Sequence, residues 1–364
     1  MKQKYFIVYA FTFLMLISCE SNKNNKFENE AVDYDSTDIS LQRLSLLKSQ
    51  DYLTYKDSLI FLSTQRVYRG NKNIIVFFDR LNFYVTDLDL NVKKIISIKE
   101  KDYLIKGQVF DIGITNNELF ILDASNIIKE ISLKDGNEVN EIELEINSSE
   151  GLSPGAFNSM TNSSNDGILT TNIIQPFLSP SSSNEFELGK WFDLDGRFKT
   201  VFKIQNDKSD PNWFKFFDMS FASFFDGRVY FSFLISKKVF VFDLKAKLLN
   251  SYELSVDERY WSDIKTETSS AKIGEMTTTT IGSKFIVICN NGLQIKNGYV
   301  YSYIYQGNEK GPKLVKYNHD FKIIEELNVD EIKADPSGFK LYIIGDRLYL
   351  DNGIIHIFGK KDAK

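Results

Sequence analysis

Residues 189–204 read "GKWFDLDGRFKTVFKI": two apolar, alternating runs around a short polar turn. Asp195-Gly196 is a favoured hairpin turn because its second position tolerates positive φ. Four further stretches repeat the pattern: "FYVTDLDLNVKKIISI" from Phe83, "IKEISLKDGNEVNEIEL" from Ile128, "VFVFDLKAKLLNSYEL" from Val239 and "LVKYNHDFKIIEELNV" from Leu314. Each predicts a hairpin, with Asp135-Gly136 as a second turn of the Asp-Gly kind. A further strand signal precedes each copy: "NIIVFFD" (73–79), "NELFILD" (117–123), "DGILTTN" (166–172), "GRVYFSF" (227–233) and "NGYVYSYIY" (297–305). A sixth, "DRLYLD" (346–351), is followed by "GIIHIF" (353–358). Earlier in several units comes one more apolar run, such as "FDIGIT" (110–115) or "MSFASFF" (219–225). Four strands in each of six units predict an all-β fold, a six-bladed β-propeller of four-stranded antiparallel blades. The last unit lacks its outer strand. The N-terminal "ISLQRLSLL" (39–47) is the candidate to supply it, which would close the ring and hide its edges.

Composition agrees. The chain has 364 residues, 43% of them hydrophobic, with 30 Phe and 18 Tyr. Aromatic residues favour strands. The formal net charge of −5 and the absence of a long Lys/Arg run argue against nucleic acid as a partner. Two His and two Cys exclude a zinc site built on several such ligands. No Gly-x-Ser-x-Gly elbow or phosphate-binding loop occurs. A monomer is expected.

The N-terminus carries an address. Lys2 and Lys4 precede an almost unbroken apolar run, Tyr5–Ile17, shorter than the roughly 20 residues a membrane span needs. That pattern fits a signal peptide. Its end, Leu16-Ile17-Ser18-Cys19, resembles the bacterial lipobox, which implies that Cys19 receives lipid. The other reading of Cys19 is an incidental residue in a signal cleaved elsewhere. The polar "ESNKNNKFENE" that follows suits a membrane tether. The expected organisation is a signal peptide over 1–18, a flexible tether over 19–40 and the propeller over 41–360. Cys289, in "FIVICNNG", is expected to be a buried apolar residue rather than a disulfide partner.

Lipobox and loose "φxφxDxxGxxφxxφxφ" repeats together resemble the six-bladed NHL/TolB-like propeller lipoproteins common in Bacteroidota. The resemblance covers about 46–358 and implies architecture and a bacterial cell-envelope location, lipid-anchored to a membrane. The surface lipoproteins of that group carry acidic export signals. "ESNKNN" after Cys19 does not match them, which favours a periplasm-facing position over the cell surface.

In a propeller, the links between blades and those between second and third strands share one face, around the channel mouth. Here that face would hold 99–108, 145–157, 176–188, 205–218, 255–280, 306–312 and 329–339. Two of these segments carry aromatic groups: "DPNWFKFFD" with Trp213, and "DERYWSD" with Arg259, Tyr260 and Trp261. Rings beside Arg and Asp can stack on a sugar or anchor a peptide. They can equally plug the channel or pack between blades. His319, in a turn, and His356, in the last strand, have no recognisable nucleophile beside them in sequence, and structural roles are expected.

The expected function is therefore non-enzymatic: an envelope lipoprotein recognising a protein, peptide or glycan through its loop-rich face. The alternative is a hydrolase or lyase dependent on a divalent metal. Propeller lactonases hold such an ion in the channel with Glu, Asn and Asp side chains. Calcium or another divalent ion would then be the cofactor, with ligands that the sequence leaves unknown.

Overall fold

The computed structural model describes residues 38–62, 67–79, 82–98, 109–114, 117–123, 127–145, 157–163, 167–172, 185–205, 220–233, 238–255, 266–273, 276–283, 287–288, 293–305, 313–329, 332 and 340–360. A 3-10 turn at Leu41–Arg43 leads into β1 (Leu44–Gln50), then a hairpin of β2 (Tyr52–Tyr55) and β3 (Ser58–Phe61). Blade 1 is β4 (Val67–Gly70), β5 (Ile75–Asp79), β6 (Asn82–Thr86) and β7 (Val92–Ser97). Blade 2 is β8 (Val109–Ile114), β9 (Glu118–Asp123), β10 (Ile127–Ser132) and β11 (Glu138–Glu143). Blade 3 is β12 (Phe157–Ser163), β13 (Gly167–Asn172), β14 (Glu185–Phe192) and β15 (Phe198–Gln205). Blade 4 is β16 (Ser220–Phe225), β17 (Arg228–Phe233), β18 (Lys238–Asp243) and β19 (Leu248–Glu253). A second separate hairpin follows, β20 (Thr266–Ile273) with β21 (Met276–Ser283). The inner edge of blade 5 comes in two pieces, β22 (Val287–Ile288) and β23 (Gln294–Lys296), beside β24 (Tyr299–Tyr305), β25 (Lys313–Tyr317) and β26 (Ile323–Asn328). Blade 6 is β27 (Lys340–Ile344), β28 (Arg347–Asp351), β29 (Ile355–Lys360) and, outermost, β1. The fold is a six-bladed β-propeller.

The closing strand differs in position from the expected 39–47. Leu44 pairs with Lys360 and Gln50 with Ile355, so the strand runs further along the chain, with a bulge between Leu46 and Lys48. Residues 39–43 are held back by burial. Ile39 and Leu41 are 2% and 1% exposed and pack among Tyr301, Tyr303 and Leu314 of blade 5. The N-terminal segment thus staples two blades as well as closing the ring.

Among the described residues, the apolar packing lies between blades rather than in one central core. Six apolar clusters lie in six seams between neighbouring blades. In the seam of blades 3 and 4, Phe202 faces Phe231 and Phe242 at centroid distances of 5.3 and 5.5 Å. Between blades 4 and 5, Val239, Val241 and Leu254 meet Val315, Tyr317 and Phe321. Each seam is sandwiched between two sheets, so the third strands are buried on both faces. That explains apolar runs such as "VFVF" (239–242) with no polar alternation. Outer strands face water, and in blade 5 Ile323–Asn328 alternates between half-buried and exposed residues. Gly189 lies at a tight approach, where a Cβ would stand 2.4 Å from the Thr170 carbonyl oxygen and 3.2 Å from Phe231.

The turn between third and fourth strands repeats at atomic detail. The amide of Asp193 donates to the Arg197 carbonyl and that of Gly196 to the Asp193 carbonyl, both at 3.0 Å. Asp193 Oδ1 accepts from the Asp195 and Arg197 amides. Asp87, Asp243 and Asn318 accept from the equivalent amides. In blade 2 the Ser132 hydroxyl takes the first of these bonds. The fourth turn residue has positive φ in four blades, Leu90, Gly196, Ala246 and Phe321, and in the blade 2 turn, one residue longer, the fifth, Gly136, does. Positive φ at this position thus does not by itself require glycine. Leu90 and Phe321 use the left-handed conformation to drive a side chain into a seam, where both are at most 1% exposed.

Those turns also tie blades together. The Glu145 amide, just past β11, donates to the Gly196 carbonyl of blade 3 at 2.9 Å. The Ser255 amide, just past β19, donates to the Phe321 carbonyl of blade 5 at 3.2 Å. Lys94 of blade 1 caps the Leu133 and Lys134 carbonyls of the blade 2 turn. Lys48 of β1 reaches the Asp89 carbonyl of the blade 1 turn.

Candidate functional site

Cys19, Trp213, Arg259, Tyr260 and Trp261 lie outside the described residues, as does Cys289. What is described around Arg259–Trp261 is their setting along the chain. They fall in the link 256–265, between the end of blade 4 and β20. It opens the segment 255–280 expected on the loop-rich face, and that segment contains most of a hairpin with eight residue pairs, from Thr266 with Ser283 to Ile273 with Met276. The run Thr277–Thr280 lies inside β21, opposite Ser269–Lys272. β-Branched residues favour the extended backbone, and Thr-rich strands need no core to read as strands. Among the described residues β20 and β21 pair only with each other, so the hairpin is an addition to the ring rather than part of a blade.

At the ring's inner edge, Arg69 of β4 joins three blades. Its guanidinium lies 2.7 Å from Asp111 Oδ2 of β8 and 5.2 Å from the Tyr342 ring centroid of β27. Desolvation alone would lower the Arg69 pKa, but Asp111 and Tyr342 more than offset it, so the charge is retained. Asp111 also accepts the Ile112 amide through Oδ1. This ion pair, with Asp111 buried and Arg69 half-buried, fixes the relative angle of blades 6, 1 and 2. Its carboxylate is already engaged and is no vacant ligand for a metal. Among the described residues, no group of three or more His, Cys, Asp or Glu side chains could hold a metal ion.

Blade 5 carries a buried cation. Lys316, 1% exposed, donates to Asp38 Oδ1 and Oδ2 at 2.7 and 2.9 Å and to the Ile39 carbonyl at 3.1 Å. Its ammonium lies 4.1 Å from the Tyr299 ring centroid and 3.7 Å from Glu325. The Tyr301 hydroxyl donates to the same Ile39 carbonyl, and burial followed by the nearby Asp38 charge pushes its pKa far above the usual phenol range. Glu325 accepts from Ser40 Oγ and the Gln42 amide. Residues 38–42 are therefore latched to blade 5 by polar contacts and apolar burial together. Sequence reading missed this latch and the Arg69 bridge. Lone charges inside apolar strands, Lys316 in "LVKY" and Asp111 in "VFDIGI", were the available signal.

The histidines differ sharply. His319 is exposed in its turn, 4.0 Å from Asp320. His356 is 6% exposed, and burial lowers its pKa to about 4. In space it does have a hydroxyl beside it. Ser49 Oγ lies 2.9 Å from Nδ1, and Asn352 Oδ1 lies 3.2 Å from Nε2. The pairing of β1 with β29 brings Ser49 opposite His356, a contact between residues far apart in sequence. An acceptor at Nε2 leaves Nδ1 to accept the serine proton. A base this weak has little driving force to activate a serine at neutral pH. The line of three groups ties the closing strand to the turn at Asn352.

No helix among the described residues is long and apolar enough to cross a membrane. No protein-family model matches the chain, and no curated protein is significantly similar to it in sequence. Solved structures do match. A member of the DUF4221 family from Bacteroides vulgatus is similar with a TM-score of 0.50 at 13% identity, over 88% of this chain and 99% of that one. BamB from Moraxella catarrhalis matches with a TM-score of 0.42 at 13% identity, over 87% and 99%. The likeness is one of fold.

Proposed function

We propose that the protein is a bacterial cell-envelope lipoprotein, anchored through Cys19, whose propeller binds a protein, peptide or glycan without catalysing a reaction. The observation that carries this reading is the β20–β21 hairpin, an eight-pair arm built into the link between blades 4 and 5 and paired with no blade strand among the described residues. An arm outside the blades adds contact surface without contributing to ring closure. The inner-edge charges support the same reading, because Arg69 and Asp111 are committed to holding blades. Trp213, Arg259, Tyr260 and Trp261 are the proposed contact groups. Periplasmic exposure is the favoured orientation.

The test uses the lipidated protein in its own membranes. A photo-crosslinking residue at position 261 should capture a defined partner or glycan-bearing species. Trp213→Ala and Trp261→Ala should lose that capture while melting like the wild type. Capture unchanged in both, or melting loss with no capture effect, would reject the site. A tightly held divalent ion whose chelation lowers the melting temperature would favour the metal-dependent enzyme instead.

A further inference from the structure

The β2–β3 hairpin belongs to no blade sheet, although the Thr54 amide donates to the Leu90 carbonyl of the blade 1 turn at 3.1 Å. It turns tightly at Lys56-Asp57, with Tyr55 paired to Ser58 and Lys56 at φ 52°. Strand alternation gives it two faces. Leu53, Tyr55 and Ile60 face inward, Leu53 fully buried, in the seam of blades 6 and 1. The other face holds Tyr52, Thr54, Leu59 and Phe61. Leu59 is 54% and Phe61 66% exposed, the largest exposures among the big apolar side chains described. The Tyr52 and Phe61 rings meet edge-on at 6.0 Å. Ile354, 44% exposed, adjoins the hairpin's root because its neighbour Ile355 pairs with Gln50. A cluster of this kind on a water-facing hairpin marks a contact surface.

We propose that this hairpin docks on the bilayer surface, so that the protein rests on its membrane by two points, the lipid and the hairpin. The proposal rests on the lipoprotein reading of Cys19. Chain length supports it. Residues 19–37 can extend to at most about 65 Å, and the stretch from Asp38 to Tyr52 covers at most about 45 Å. The anchor therefore reaches far enough for the hairpin to touch the same bilayer. The hairpin's chemistry is interfacial: Tyr and Phe rings, Leu59, and Lys56 with its ammonium 5.3 Å from the Tyr55 ring centroid. A bilayer also suits a convex face better than a peptide would. β3 offers only four residues of strand edge, and Leu59 and Phe61 stand out from the surface.

The experiment places a tryptophan in the cluster. Phe61→Trp and, as a control on the outer strand of blade 2, Val139→Trp are made in the full lipidated protein. Val139 is 51% exposed. Each is reconstituted in vesicles of 3:1 phosphatidylethanolamine and phosphatidylglycerol, with and without brominated acyl chains. Leu59→Trp serves if the first variant folds poorly. The signal added at position 61 should be quenched at least about twofold more by brominated lipid than that added at 139. Equal quenching overturns the hairpin proposal. Shielding of position 61 from aqueous acrylamide without lipid quenching also overturns it, by showing a protein cover such as a second copy or a peptide. Mass spectrometry of the same protein separates the two readings. An unacylated Cys19 rejects the lipoprotein reading, whereas acylation without quenching at 61 rejects the hairpin alone.

Discussion

Gly196→Ala tests the turn geometry most directly, because Ala246 occupies the equivalent position in blade 4. Both sit at positive φ, 82° and 59°. The surroundings differ. A Cβ on Gly196 would stand 2.2 Å from the Glu143 carbonyl oxygen and 3.0 Å from Ile142 Cγ2. Relief requires a movement of roughly an ångström between blades 2 and 3, with overpacking worth about 1–3 kcal/mol. That movement also strains the bond from the Glu145 amide to the Gly196 carbonyl, worth about 1 kcal/mol. Left-handed backbone adds roughly 1 kcal/mol for a residue with a Cβ. The expected loss is about 3–5 kcal/mol. Ala246→Gly should be near neutral, since relief of left-handed strain is offset by a more flexible unfolded chain, each about 1 kcal/mol. Urea unfolding of residues 20–364, followed by far-UV circular dichroism and tryptophan fluorescence, measures both. At a slope of about 3 kcal/mol per molar, Gly196→Ala should shift the midpoint down by roughly 1 M or more. A shift below about 0.2 M, or a comparable loss in Ala246→Gly, would refute the reasoning that the neighbouring blade, and not φ alone, demands glycine.

Lys316→Met should cost about 3 kcal/mol, because it removes the cation that Asp38, Glu325 and the Ile39 carbonyl share. Limited proteolysis should then cut near residues 38–43 before the blades, and unchanged protection there would show that apolar burial alone holds the latch. His356 should make stability depend on pH. Its pKa is about 4 when folded against an ordinary 6.5, so between those values the unfolded chain binds more protons. Stability from this group is full above 6.5, is lost as pH falls toward 4, and amounts to about 3 kcal/mol. The gap in unfolding free energy between wild type and His356→Gln should narrow by that amount from pH 7 to pH 4, and a constant gap would contradict the assigned cause. Ser49, beside so weak a base, should resist a fluorophosphonate probe at neutral pH, and rapid stoichiometric labelling would reveal an active nucleophile.

Periodicity and turn chemistry made the blades readable from the chain alone. "DLDLN", "DLDGR", "DLKAK" and "NHDFK" each encode the same local hydrogen bonds, formed within a few residues and independent of distant partners. Strand existence, strand order and the need for an N-terminal closing strand follow from those local rules. The Asp-Gly signal marked two turns, while Leu90 and Phe321 adopt the same φ because a seam repays the strain with burial, something no local rule reveals. Tertiary contact decided the rest. The register of β1 against β29 was set by Ile39 and Leu41 finding blade 5, which moved the strand to Leu44–Gln50. The same closure brought Ser49 to His356. Arg69, Asp111 and Tyr342 come from three blades, and Lys316 meets Asp38 across most of the chain length. The β2–β3 hairpin shows the division in one element. "YLTYKDSLIF" alternates as any hairpin does, so either face could have been the buried one. Only the seam between blades 6 and 1 chose Leu53 and Ile60 for the inside, and left Leu59 and Phe61 to the solvent.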